Sequence, residues 1–258
     1  MSTFLNASPI FGPVRSRRLG LSLGVNMMPA SGKICTFDCI YCENGFNGER
    51  PCHEPYNTAA VVHDALEAKL REMAAEGELP DVITFAGNGE PTAAPEFSQA
   101  IAGAVALRDE LAPSTKIAVL SNGTRADQPA VHDALMMVDD NILKLDTVDP
   151  TFIQLLDQPV GPYDVEHQIE TFASFNGHVI IQTIFLTGEY QGKSIDNTGE
   201  EYVGPWLAAL ERIRPQEATI YTVARETPVA GLAKAAPEVL DAIAARVQAL
   251  GIPCQVSY

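Results

Sequence analysis

Cys35-Thr36-Phe37-Asp38-Cys39-Ile40-Tyr41-Cys42 gathers three of the chain's five cysteines into eight residues. Three residues separate the first pair of thiols and two the second. That spacing offers three thiolates to one small site, from a loop too tight to be a helix-packing face. Closed tetrathiolate iron–sulfur and zinc sites take four ligands. Three leave one metal position open for chemistry. Zinc held with a distant His or with Cys52 is a second reading, and disulfides in a secreted protein a third. An odd number of cysteines with three crowded together argues against a disulfide framework.

A second stretch, Gly87-Asn88-Gly89-Glu90-Pro91-Thr92, follows the apolar run Val82-Ile83-Thr84-Phe85-Ala86. Together the two stretches resemble the signature of the radical S-adenosylmethionine superfamily, with the aromatic Tyr41 just before the last Cys. Gly12 to Gly20 and Ile220 to Pro228 are similar to a small branch of that superfamily related to the wyosine (tRNA) synthases. The resemblance implies that Cys35, Cys39 and Cys42 hold a 4Fe-4S cluster. It also implies that S-adenosylmethionine chelates the remaining iron through its amino and carboxylate groups.

Around these stretches the chain alternates. Leu21 to Val25, 82–86, 117–120, 142–145, 179–186 and 218–223 read as buried strands, and Cys254 to Tyr258 as a short last one. Between them apolar residues recur at helical spacing, as in Val61, Val62, Leu66, Leu70 and Met73 behind an Asn57 or Thr58 cap. Asp164 is read as capping a helix, and Pro237 and Gly251 bracket the final one. Strands alternating with such helices imply parallel βαβ units with right-handed crossovers. About six units give an α/β chain in an open, partial (β/α)6 TIM-like barrel, the radical S-adenosylmethionine core that the resemblance also implies. A doubly wound open sheet has the same periodicity. The expected organisation is a single domain over residues 1–258. Residues 1–20 form an irregular arm, 26–56 the cluster-binding loop region, and 237–258 the terminal helix and strand.

Composition narrows the function. The net charge is −16, yet residues 1–33 hold Arg15, Arg17, Arg18 and Lys33 and no acid, leaving −20 for the rest. So acidic a chain is a poor partner for a phosphate backbone, which disfavours nucleic acid without removing it. No apolar run approaches the roughly 18 residues of a membrane span. No signal peptide is visible between Met1 and Pro13. A cytoplasmic protein, with no membrane partner, is the expectation.

In parallel α/β folds ligands gather at the carboxyl ends of strands. Asn88 and Glu90 follow the 82–86 strand, Ser121 and Asn122 the 117–120 strand, and Asp146 the 142–145 strand. Gln182 and Tyr221 lie on later strands. Gly87 and Gly89 lack a Cβ, so the backbone can approach a ligand closely. The resemblance implies that Gly87, Asn88, Gly89, Glu90 and Pro91 receive the methionine ammonium and that Tyr41 lies near the adenine. Ser121, Asn122 and Asp146, and after them Gln182 and Tyr221, are cofactor-binding candidates. No residue stands out as a general acid or base, so catalytic residues stay unassigned.

The implied reaction is reductive cleavage of S-adenosylmethionine to a 5′-deoxyadenosyl radical, which abstracts hydrogen from an unassigned substrate, a nucleotide-like small molecule or an RNA base. A flavodoxin or ferredoxin is implied as electron donor, with Arg15 to Arg18 as its candidate docking patch. A glycyl-radical-enzyme activase is one alternative; a non-catalytic Fe–S or zinc protein is another. The wyosine synthases carry further cysteines ahead of the main motif, and here none precedes Cys35.

Overall fold

The computed structural model describes residues 4–16 and 19–258. Arg17 and Arg18 of the basic patch lie outside them. Arg15 lies 3.8 Å from Glu78 in an exposed ion pair.

Eight strands carry the fold: β1 (Ile10–Ser16), β2 (Gly20–Val25), β3 (Val82–Phe85), β4 (Lys116–Ser121), β5 (Asp140–Lys144), β6 (Ile180–Ile184), β7 (Glu217–Tyr221) and β8 (Cys254–Ser257). Strands β1 to β4 neighbour one another in chain order, and so do β5 to β8. Helices α1 (Ala59–Glu76), α2 (Phe97–Leu111), α3 (Pro129–Met136), α4 (Pro150–Leu156), α5 (Val165–Ser174), α6 (Glu200–Ile213) and α7 (Pro237–Ala249) lie between the strands. No helix among the described residues is long and apolar enough to cross a membrane.

The chain divides into two compact units. One comprises residues 5–36 and 47–141. In it β2 and β3 pair in parallel with Val25 opposite Phe85, and β3 and β4 with Phe85 opposite Val119. Buried Val62, Leu66, Leu70 and Met73 recur along α1, whose first turn is capped by Thr58, its side chain accepting from Val61 N.

The arm does not stay irregular. Residues Ile10–Ser16 pair antiparallel with β2, and the register shifts between Phe11 and Val14. Gly12 and Pro13, which break any period in the sequence, sit inside that irregularity. The Phe11 ring also lies where a Cβ on Gly24 would be, only 2.1 Å away. The hairpin therefore depends on a bulge and on one missing side chain, neither of which leaves a periodic signal.

The other unit comprises Phe4 and residues 37–46 and 142–258. Here β5, β6, β7 and β8 pair in parallel, with Leu143 opposite Ile181 and Ile181 opposite Ala218. Trp206 of α6 is fully buried and donates Nε1 to Leu145 O and Thr183 Oγ1, both at 3.1 Å. That fixes the helix on the sheet end where polar residues follow β5.

Two boundaries differ from the expectation. The 179–186 run breaks after Ile184, and Leu186–Thr187 pairs instead with Ala233–Lys234. Helix α4 was not anticipated. Its seven residues hold too few turns to show a period, and Asp149 Oδ1 caps it by accepting from Phe152 N at 2.7 Å.

Candidate functional site

The cysteine stretch passes from one unit to the other between Thr36 and Phe37. Its candidate partners accordingly fall into two sets.

The first set belongs to the unit built on β2 to β4. After β3 the chain runs through Gly87 at φ +131° and Gly89 at φ +139°, a region that favours glycine. The glycines serve protein contacts. A Cβ on Gly89 would lie 1.8 Å from Ile34 O, and one on Gly87 would lie 2.5 Å from Asn26 Oδ1. The close approach lets Ile34 N donate to Asn88 O and Glu90 N to Ile34 O, each at 3.0 Å. Ile34 is thereby pinned to the glycine turn, and Cys35 is the next residue.

Glu90 is buried. Its Oε1 accepts from Ser121 Oγ and Thr92 Oγ1, both at 2.7 Å, and from Thr92 N at 3.1 Å. Its Oε2 accepts from Asn122 N at 2.7 Å. Burial pushes the Glu90 carboxyl up, while these four donors favour the charged form and work against the shift. Asn122 extends its side chain toward the cysteine stretch, with Nδ2 2.8 Å from Thr36 Oγ1 and 3.8 Å from Cys35 Sγ. Asn88 is turned elsewhere. Its amide holds the arm, accepting from Asn6 N at 2.7 Å and donating to Asn6 O and Pro29 O. Pro91 opens a short buried 3-10 turn.

The second set belongs to the unit built on β5 to β8. Asp38 N donates to Asp157 O and Ile40 N to Leu156 O, both at 3.0 Å, so the cysteine loop lies along the end of α4. Tyr41 is buried, and its hydroxyl, with one proton to donate, lies within hydrogen-bond reach of Asp146 Oδ2 and of Asp157 Oδ1. Asp146 Oδ1 accepts from Ile184 N at 2.9 Å, and its Oδ2 lies 3.4 Å from Lys144 Nζ. Lys144 also donates to Tyr221 Oη at 2.9 Å. Cys39 Sγ lies 3.7 Å from Asp157 Oδ1.

The electrostatics follow from burying these groups together. Burial, then the charges of Asp146 and Asp157, hold the Tyr41 phenol well above its ordinary value. Burial, then Asp146, pushes the Asp157 carboxyl up. Burial works to lower the Lys144 ammonium, but Asp146 first and Tyr221 next outweigh it and leave it raised. Gln182, buried on β6, stands opposite Lys144 on one side and Thr219 on the other.

Each set therefore joins residues that the sequence singled out separately. Cys35, the 87–91 turn, Ser121 and Asn122 come together in one; Cys39, Tyr41, Asp146 and Tyr221 in the other. Lys144 and Asp157 were not among the candidates. Lys144 had a signal, since it lies two residues from Asp146 and the period of a strand puts such pairs on one face. Asp157 had none, because it follows a helix too short to read. Two further residues escaped notice near Cys35. The Tyr56 phenol is raised by burial and the Cys35 charge and lowered by Arg125. Arg125 Nε is buried with no hydrogen-bond partner among the described residues.

The thiols suit an iron–sulfur cluster in their chemistry. All five cysteines are outside any disulfide; Cys35 and Cys42 are half-buried and Cys39 is buried. Among the described residues no three His, Cys, Asp or Glu side chains surround a single point that an ion would fill. A cluster makes a different demand, one thiolate on each of three irons.

No protein-family model matches the chain. It is 31% identical over 228 residues to a UPF0026 protein of Synechocystis, a match covering 85% of this chain and 77% of that one. It spans between 31% and 58% of the length of four further curated relatives. Among solved structures, a radical SAM methyltransferase from Sphaerobacter thermophilus superposes with a TM-score of 0.66 at 16% identity, over 92% of this chain and 66% of that one. Streptococcus suis SuiB bound to S-adenosylmethionine superposes with a TM-score of 0.62 at 14% identity, over 91% of this chain and 49% of that one. These superpositions show the fold, an open partial (β/α)6 barrel.

Proposed function

The chain belongs to the UPF0026 proteins, and we propose that it is a radical S-adenosylmethionine enzyme in which Cys35, Cys39 and Cys42 hold a 4Fe-4S cluster. The observation that carries the proposal is the anchoring of the cysteine stretch within each unit. Ile34 is tied to the glycine turn ahead of Cys35, and Asp38 and Ile40 are tied to the end of α4 on either side of Cys39. Backbone anchors next to Cys35 in one unit and around Cys39 in the other hold the stretch locally, as ligands to a multi-atom cofactor require.

When bound, the cluster and S-adenosylmethionine supply one-electron cleavage of a carbon–sulfur bond, releasing methionine and a 5′-deoxyadenosyl radical. This chain's residues hold and orient. The three cysteines would bind as thiolates. Carbonyls of the 87–89 turn and the Glu90 carboxylate, aimed by Ser121, Thr92 and Asn122, would accept from the methionine ammonium. Tyr41, held by its two aspartates, would lie near the adenine. Ser121, Asn122 and Asp146, and after them Gln182 and Tyr221, would contact the ribose or the carboxylate. A flavodoxin or ferredoxin supplies the electron, and the setting is the cytoplasm, which keeps thiols reduced. The substrate is a nucleotide-like small molecule or an RNA base. The comparisons do not favour the activase alternative.

Anaerobic reconstitution with iron and sulfide tests the proposal. About four irons per chain are expected, with an electron paramagnetic resonance signal of the reduced cluster that changes on adding S-adenosylmethionine. Stoichiometric zinc and no such signal would overturn it.

A further inference from the structure

The amide of Asn122 has one orientation open to it. Thr124 N can only donate, and it lies 3.1 Å from the Asn122 Oδ1 position. That atom must be the oxygen. Thr124 Oγ1 reinforces it at 2.8 Å. The NH2 end is thereby turned to the other side, where one hydrogen serves Thr36 Oγ1 at 2.8 Å and the sulfur of Cys35 lies at 3.8 Å. The backbone is held too, since Asn122 N donates to buried Glu90 at 2.7 Å. A fixed, buried N–H donor therefore faces the first sulfur of the motif.

We propose that Asn122 is a positioning residue that hydrogen-bonds the Cys35 thiolate and raises the reduction potential of the cluster it ligates. The inference rests on the reading of Cys35 as an iron ligand. Reduction adds negative charge to the iron–sulfur core, and part of that charge sits on the thiolate sulfur. A donor aimed at the sulfur stabilises the reduced form more than the oxidised form, so the potential moves upward. Asn122 acts through the ligand and transfers nothing itself.

The test is a redox titration of the reconstituted protein followed by electron paramagnetic resonance, with iron and sulfide counted in parallel. Asn122→Ala removes the donor. Asn122→Asp keeps the shape and the Thr124 contacts but turns an acceptor toward the sulfur, and it serves if the alanine variant does not fold. At the wild-type midpoint, the ratio of reduced to oxidised cluster is expected to fall severalfold in each, with iron content unchanged. Glu72→Gln, which breaks an exposed ion pair with Lys69 on α1, should leave the ratio as it is. A cluster with unchanged potential in both Asn122 variants overturns this inference and leaves the cluster assignment standing. Loss of iron from both, with the fold intact by circular dichroism, makes Asn122 a determinant of loading and also overturns it. A wild-type protein that takes up no cluster overturns the assignment and the inference together.

Discussion

Gly89→Ala should be severely damaging, for reasons that can be separated. The new Cβ would lie 1.8 Å from Ile34 O, a backbone atom with no rotamer to yield. Relief requires Ile34 to move, and Ile34 carries the two 3.0 Å hydrogen bonds to Asn88 and Glu90. Each is worth about 0.5–1.5 kcal/mol net. A side chain at φ +139° adds strain on the order of 1–3 kcal/mol. The sum is roughly 2–6 kcal/mol, a large part of the roughly 5–15 kcal/mol that holds a domain folded. Gly77→Ala is the control. Gly77 closes α1 at φ +77° with nothing within 4 Å of the added Cβ, so only the conformational penalty of about 1–2 kcal/mol applies. Both variants would be unfolded in guanidinium beside the wild type. Gly89→Ala should lose at least twice the stability that Gly77→Ala loses, and after reconstitution it should hold less iron per chain, because Cys35 follows the displaced residue. Equal losses would show that the turn yields without disturbing Ile34 and would refute the reasoning.

Tyr41→Phe removes the hydroxyl that lies within hydrogen-bond reach of both Asp146 and Asp157. With both carboxyls buried, denaturation should report a loss of roughly 2 kcal/mol or more, and a loss within error of zero would contradict the arrangement. Glu90 sets a pH dependence whose sign is fixed. Burial raises its folded-state pKa above the ordinary value of 4.5, so the folded chain binds this proton more readily than the unfolded chain. Stability contributed by that proton is lost as pH rises through the folded pKa and is fully present below about 4.5. Parallel denaturation should show the stability of the wild type rising relative to Glu90→Gln as pH falls from neutral toward 4.5; a wild type that falls relative to Glu90→Gln over that range would contradict the burial of the carboxyl.

The strands that carry the barrel were readable because buried parallel strands are continuous apolar runs set between turn residues, as in Val82 to Phe85 and Ile117 to Leu120. The hairpin strand before them was not, since its pairing depends on a bulge and on the Phe11 ring lying against Gly24. At the candidate site, the cysteines and the glycine turn were legible as motifs. The purpose of the glycines was only half legible. A sequence shows that Gly89 lacks a side chain, but not that the vacant space belongs to Ile34 O. Asp146 was found because it ends a strand. Its partner Asp157 comes just after α4, a helix too short to show a period, and so carries no local signal. Nothing in the chain's own residues selects a substrate, and the acidic balance of the sequence bears only on how readily nucleic acid would be bound.

The most direct test of the account is formation of 5′-deoxyadenosine by the anaerobically reconstituted protein with dithionite and S-adenosylmethionine. The account predicts product from the wild type and none from Cys35→Ala, Cys39→Ala or Cys42→Ala. Product that persists when any of the three thiols is removed, or no product from a wild type loaded with about four irons, would contradict it.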